Sequence, residues 1–253
     1  MQILHQDEFY VAVNKPAGIL VHRSRIDKQA TLIALQMVRD MLGQRVYPVH
    51  RLDKPTSGVL LFALLPEAAA TMMPLFESGQ VEKLYLAVVR GYTDANGLID
   101  YPLKEEQDKM TDAKANKNKS AQPALTRYRR LATVELPIAV GRYPSSRYSL
   151  LQVRPVTGRK HQIRRHMKHI FHPIVGDTTH GDGAHNAMFR QQFHCQRLLL
   201  HAACLSFPHP YLHKSITIQA PLDSEFEIIV RRFGWAEVTG RPGSIRYTIP
   251  EYT

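Results

Sequence analysis

Cysteine is scarce in this chain of 253 residues, with only Cys195 and Cys204 present. That excludes a disulfide-stapled scaffold and points to a reducing compartment, the cytoplasm. No CxxC pair occurs and no HxxxH pair falls on a predicted helix, so the thirteen histidines carry no zinc signature. His194-Cys195, and His201 close to Cys204, keep a zinc site open as a rival reading. Long apolar runs are missing too. The longest, 59–65, stops at Pro66, far short of the ~20 apolar residues a membrane-spanning helix needs. Met1-Gln2-Ile3-Leu4-His5 lacks the basic-then-apolar pattern of a secretory signal. Acidic residues are in deficit, 22 against 33 Lys and Arg, for a net charge of +11. A polyanionic partner is expected, nucleic acid before membrane.

What is present suits one sizeable domain. A chain this long, 44% hydrophobic, buries roughly 70–75% of its unfolded surface. No internal repeat appears. Residues 9–14 alternate as a strand and are broken by the turn chemistry of Asn14-Lys15-Pro16-Ala17-Gly18. Apolar positions at helical spacing predict a helix over 30–42, and the run 59–64 reads as a buried strand followed by a helix over 66–78. Residues 82–90 alternate strictly, placing Leu84, Leu86 and Val88 on one face and Lys83, Tyr85, Ala87 and Val89 on the other.

Between 104 and 122 the chain is lysine-rich and nearly free of large apolar residues, which predicts a mobile basic loop. Strands are predicted over 124–133, 148–153, 173–176, 197–207 and 216–219, with helices over 158–170 and 224–233. The first of these helices carries eight Arg, Lys and His residues. Ile163, Met167 and Ile170 form its apolar stripe, leaving His161, Arg164 and Lys168 on another face. Irregularly interspersed strands and helices predict an α+β domain on a mixed, largely antiparallel sheet flanked by helices and loops. The predicted domain spans 1–235, with 236–253 as a tail.

The most informative run is His50-Arg51-Leu52-Asp53-Lys54-Pro55-Thr56-Ser57-Gly58-Val59-Leu60-Leu61. It sets one carboxylate between two cations and a tight turn, directly before an apolar strand. Asp53 is a candidate nucleophile, and a salt-bridged start to a strand is the plainer alternative.

That run occurs in order with Asn14-Lys15-Pro16-Ala17-Gly18-Ile19-Leu20-Val21-His22, Lys83-Leu84-Tyr85-Leu86-Ala87, Thr157-Gly158-Arg159-Lys160-His161-Gln162-Ile163-Arg164, Pro173-Ile174-Val175-Gly176-Asp177 and Leu199-Leu200-His201-Ala202. Together these motifs resemble the RluA family of pseudouridine synthases, over about residues 3–235. The segments Leu131-Ala132-Thr133-Val134-Glu135, Gly141-Arg142-Tyr143-Pro144 and Arg164-Arg165-His166 are similar to members that modify a T-arm uridine of tRNA.

The resemblance implies an isomerase. It breaks the N1–C1′ bond of uridine, rotates the uracil and rejoins it through C5, with no net redox change, no metal and no organic cofactor. The implied catalytic residues are Asp53 as nucleophile, Arg164 as the cation that keeps it charged, and Tyr85 as a stacking partner for the uracil that handles a proton at C5. Taken as residues alone, Arg164 fits a phosphate contact and Tyr85 a core tyrosine equally well. Arg51 is placed to fill the gap left by an everted base, since strand alternation would aim 51 and 53 the same way. Lys83, Arg159, Lys160, His161 and Lys168 are candidate RNA contacts.

The implied partner is tRNA, met by a cytoplasmic monomer with no membrane and no obligate protein partner. A silent RNA-binding module fits the charge as well as an enzyme does, but has no need of Asp53, Tyr85 and Arg164 together. Ribosomal RNA is the alternative substrate. Relatives acting on it often carry an S4-type domain ahead of the catalytic part, and here the first motif begins by residue 14.

Overall fold

The computed structural model describes residues 1–23, 32–105 and 120–239. Residues 106–119 of the basic loop expected over 104–122, the start of the helix expected from residue 30, and residues 240–253 of the tail expected over 236–253 lie outside the described residues.

In chain order the elements are β1 (Gln2–Gln6), β2 (Tyr10–Lys15), α1 (Ala34–Leu42), β3 (Tyr47–Pro48), β4 (Ser57–Ala63), α2 (Pro66–Glu77), β5 (Glu82–Arg90) and β6 (Asn96–Asp100). There follow β7 (Leu125–Leu136), β8 (Ser146–Pro155), α3 (Gln162–His169), α4 (Gly183–Phe193), β9 (Leu200–Pro208), β10 (Ser215–Gln219), α5 (Ser224–Arg232) and α6 (Ala236–Thr239). Among the described residues ten strands form one sheet in the order β1-β2-β4-β9-β5-β8-β7-β6, with β3 also on β4 and β10 also on β9. All ladders are antiparallel except β4–β9, which runs parallel over Ser57–His201 and Gly58–Ala202. The expected mixed α+β architecture is the observed one. No helix among the described residues is long and apolar enough to cross a membrane.

The short parallel contact depends on glycine. Gly58 has φ +113, and a Cβ there would stand 2.1 Å from the Ala202 carbonyl oxygen. Any side chain would force β4 and β9 apart at the middle of the sheet.

Alternation then decides what each face holds. From β5, Leu84, Leu86 and Val88 pack with Tyr148, Leu150, Phe226 and Trp235, while Ala87 and Val89 pack with Leu151, Val153 and the α3 residues Ile163 and Met167. From β2 and β4, Tyr10, Ala12, Val59 and Leu61 meet Ala68 and Met72 of α2, while Val11, Val13, Leu60 and Phe62 meet Ala34 and Val38 of α1. Tyr85 touches both the α1 and the α3 clusters. It therefore stands at the seam between the two halves of the sheet, on the face away from Leu84 that the strict alternation in 82–90 predicts.

Several expected elements differ. The cationic helix is Gln162–His169 and not 158–170, because His161 is left-handed (φ 54) and closes a turn ahead of it. Residues 173–176 are not a strand: Gly176 has φ +79, and only the isolated bridge Val89–Ile174 forms. The strand expected from 197 begins at Leu200. Arg51 and Asp53 lie in an unpaired segment between β3 and β4 and not on a strand. The short strands β1, β3 and β6 and the helix α4 go beyond the expected elements. The weak apolar pattern of α4 hides a firm start, where the Asp182 side chain accepts from the amides of Ala184 and His185.

Candidate active site

The segment carrying Asp53 is pinned at both ends. On the upstream side, His50 Nε2 accepts from the Leu61 amide at 2.9 Å, taking a ladder position beyond the end of β3, and its ring stacks on Phe76. Burial pushes this imidazole down to about 3, with Lys83 acting the same way, so it remains a neutral acceptor. Leu52 is buried in the α1 cluster, while Arg51 is exposed and Asp53 half-buried on either side of it.

On the downstream side the anchor is Lys15. Its side chain is fully buried and donates to the carbonyls of Pro16, Ile19 and Lys54 at 3.0, 2.7 and 3.2 Å. The Gly18 amide also donates to Lys54 at 2.8 Å, and Thr56 to the Asp53 carbonyl at 3.0 Å. Burial pushes Lys15 down to about 7, Arg197 reinforces this, and the Asp53 carboxylate opposes it. Three carbonyls match the three N–H groups of an ammonium, so the lysine ties the Asp53 turn to the 15–19 turn.

Arg164 comes from α3, which is fixed by buried polar contacts. Gln162 Nε2 donates to the Leu125 carbonyl at 2.9 Å and to Thr126 Oγ1 at 3.0 Å. His166 is buried, with Nε2 donating to the Tyr101 carbonyl at 3.0 Å and Nδ1 accepting from Thr126 Oγ1 at 2.9 Å. With Ile163 and Met167 in the core, Arg164 is aimed at Asp53 and Asp177 and is only 4% exposed.

There its fork is divided. Nε and Nη2 each donate to Asp177 at 2.8 Å, and Nη1 donates to Asp53 at 3.2 Å. The contact expected between Arg164 and Asp53 is present, but the bidentate partner is Asp177 and not Asp53. Burial alone would raise the Asp177 carboxyl, yet Arg164 and the amides of His180 and Thr179 hold it below the usual carboxylate range. Asn186 of α4 steadies this turn, accepting from the Gly176 amide at 2.7 Å and donating to the Asp177 carbonyl at 2.8 Å.

His161 approaches Asp53 from the other side, with Nε2 3.9 Å from Oδ1, while its Nδ1 shares a 3.1 Å hydrogen bond with His180. Tyr85 completes the group. A register shift in the β5–β9 ladder falls between Leu84 and Tyr85, the kind of irregularity that re-aims a side chain. Burial, reinforced by Asp53, holds the Tyr85 phenol well above its ordinary value. It is therefore a neutral hydroxyl in the free protein, suited to stacking and to donating a hydrogen bond.

The structure thus brings Asp53, Arg164, Tyr85 and His161 together. The other expected contacts are spread around them. Arg51 is exposed, Lys83 is half-buried near His50, and Arg159 donates to the Pro123 carbonyl at 3.1 Å. Lys160 is half-buried ahead of α3 and Lys168 is exposed on it. Lys15 and Asp177 received no role from the sequence, although both lie in the motifs that carried the resemblance. Among the described residues no group of three or more His, Cys, Asp or Glu side chains is arranged to hold a metal ion.

A family model described as RNA pseudouridylate synthase matches residues 9–169. Among curated relatives, "tRNA pseudouridine synthase C" of Vibrio cholerae serotype O1 is 54% identical over 237 residues, covering 94% of this chain and 97% of that protein. The protein of the same name from Haemophilus influenzae is 51% identical, covering 94% of this chain and all of the relative. Among solved structures, human RNA pseudouridylate synthase domain containing 4 is similar at a TM-score of 0.68 and 26% identity, covering 92% of this chain and 93% of that one.

Proposed function

The chain belongs to the RNA pseudouridylate synthase family, and from that premise we propose that it isomerises a uridine of tRNA, in the T-arm at position 65, with Asp53 as the nucleophile. The observation that carries this reading is the Asp53 carboxylate, 21% exposed and held at 3.2 Å by a buried guanidinium. A carboxylate that served only to neutralise Arg164 would be redundant, because Asp177 already does so through two hydrogen bonds. Support for tRNA over ribosomal RNA comes from the relatives, which match along nearly their whole length and bear the tRNA name.

In this reading the target nucleotide is everted towards Asp53 and Arg51 occupies the gap it leaves. Tyr85 stacks against the uracil and handles the proton that leaves C5. Asp53 forms a transient covalent bond to the nucleotide, the N1–C1′ bond breaks, C5 takes the place of N1 on C1′, and the bond to Asp53 is then broken to free the carboxylate and the product. The C5 proton leaves, N1 gains one, and nothing else is consumed. Arg164 balances the negative charge that Asp53 brings to the site, and His161 stands ready to contact the same carboxylate or the RNA beside it. Arg159, Lys160, Lys168 and Lys83 hold the backbone. Residues 1–235 make up the catalytic domain and 236–253 the tail. The enzyme works as a cytoplasmic monomer without metal, organic cofactor or obligate protein partner.

The test is to incubate the protein with unmodified tRNA and ribosomal RNA transcripts and to map new pseudouridines. A single new site in the tRNA T-arm is expected. Conversion of ribosomal RNA alone, or of neither, overturns the reading.

A further inference from the structure

At its C-terminus α3 ends in a left-handed turn. Ile170 donates to the His166 carbonyl, Phe171 to Lys168 and His172 to Met167, at 3.1, 3.0 and 2.9 Å. The left-handed residue of such a turn is usually glycine, which alone adopts positive φ without a steric cost. Here it is Phe171, at φ 63. The same residue is 80% exposed, more than any other large hydrophobic side chain among the described residues. Neither backbone preference nor packing explains a phenylalanine here.

The turn is also held firmly. Arg90 Nη2 donates to the Phe171 carbonyl at 3.3 Å, His172 Nδ1 donates to the Arg90 carbonyl at 2.8 Å, and the Arg90 amide donates to Pro173 at 3.0 Å. Arg90 is itself paired with Asp182. The ring is therefore presented to solvent on a fixed backbone. It follows the exposed basic stripe of Lys168 and His169 at the C-terminal end of α3. Beside this stripe Tyr101, 42% exposed, stacks on His169 with ring centres 3.6 Å apart.

We infer that Phe171 is a stacking platform for a nucleobase of the substrate RNA other than the reacting uridine, with Lys168 on the adjoining phosphate. This rests on the RNA reading above and adds a second point of contact. An aromatic ring within a row of cations matches how unpaired nucleotides are held. A phenyl ring offers a π-face and no hydrogen bonds, so the base it holds is not read for identity. α3 has eight residues and so spans about 12 Å, the length of three to four nucleotides stacked at about 3.4 Å each.

The experiment compares Phe171→Gly and Phe171→Trp with the parent on a tRNA transcript, following Kd by anisotropy, KM and kcat by turnover, and Tm. Phe171→Gly is expected to keep or raise Tm, because glycine suits the turn, and to weaken Kd and KM about tenfold, within the range measured for lost base stacking. The loss falls on KM more than on kcat. Phe171→Trp restores binding. An unchanged Kd in Phe171→Gly, or a weakened Kd accompanied by a fall in Tm, overturns the proposal. Binding is read independently of turnover, so a parent that binds tRNA but makes no pseudouridine counts against the activity and not against this contact.

Discussion

Asp177 grips Arg164 through two 2.8 Å hydrogen bonds to Nε and Nη2, and this grip leaves Nη1 as the nitrogen that meets Asp53 at 3.2 Å. The aspartate proposed to react is thus not the one that holds the arginine. Asp177 is a positioning residue, and its own place is set by the amides of Thr179 and His180 at 2.9 Å.

Asp177→Asn should therefore damage both the fold and the chemistry. Removing one partner of a buried pair costs about 3–5 kcal/mol, readable in urea unfolding. Arg164 is then free to turn fully onto Asp53, and single-turnover rate should fall by about 10- to 100-fold, as for other residues that orient a catalytic group. An unchanged rate in a folded variant would contradict the positioning role.

Acid should destabilise the protein through His201. This side chain is fully buried, bonded to Ser57 at 2.7 Å and to the Ala220 carbonyl at 3.2 Å. Burial pushes it from 6.5 down to about 4, the Ala220 carbonyl opposing and Arg197 reinforcing the fall. Between those two values the unfolded chain binds the extra proton. Stability is then complete above about pH 6.5 and is lost as pH falls toward 4, by up to about 1.4 kcal/mol per pH unit. Urea unfolding at pH 7, 6 and 5 checks this, and His201→Gln should flatten the slope by one proton's worth.

Arg51 is exposed, two residues from Asp53. If it fills the space left by an everted base, Arg51→Ala should lower kcat/KM on folded tRNA by about tenfold or more, the worth of a few kcal/mol of unstacking. A flexible single strand containing the same uridine should be much less affected. Equal losses on both substrates would reduce Arg51 to a phosphate contact.

How much of this was legible beforehand differs from residue to residue. The period of two in 82–90 placed Tyr85 opposite Leu84, Leu86 and Val88, because β5 is central and buries both faces against different clusters. Asp53 stood out through its flanking charges and turn. Its contact with Arg164, 111 residues away, is tertiary, and spacing along the chain carried no sign of it; the family resemblance did.

Other errors have local causes. Leu52 anchors its segment by burial, so the apolar position between Arg51 and Asp53 looked like strand alternation although the segment is unpaired. The apolar run 173–176 looked extended, but Gly176 at φ +79 packs against the Arg197 backbone, where a Cβ would stand 1.9 Å from the carbonyl oxygen. The apolar residues of α4 fall largely in the consecutive run Ala187-Met188-Phe189 and not at a clear helical period, so the helix that supplies Asn186 to the Asp177 turn was not visible. A buried lysine such as Lys15 reads from sequence as surface, because its three carbonyl partners come from turns that meet only in the fold.

The central claim is that Asp53 forms a bond to the nucleotide, and one measurement addresses it directly: single-turnover mapping of pseudouridine in tRNA with Asp53→Asn, alongside the variant's tRNA affinity. The account predicts no pseudouridine at any incubation time and an affinity close to the parent's. Pseudouridine formed by Asp53→Asn would contradict it.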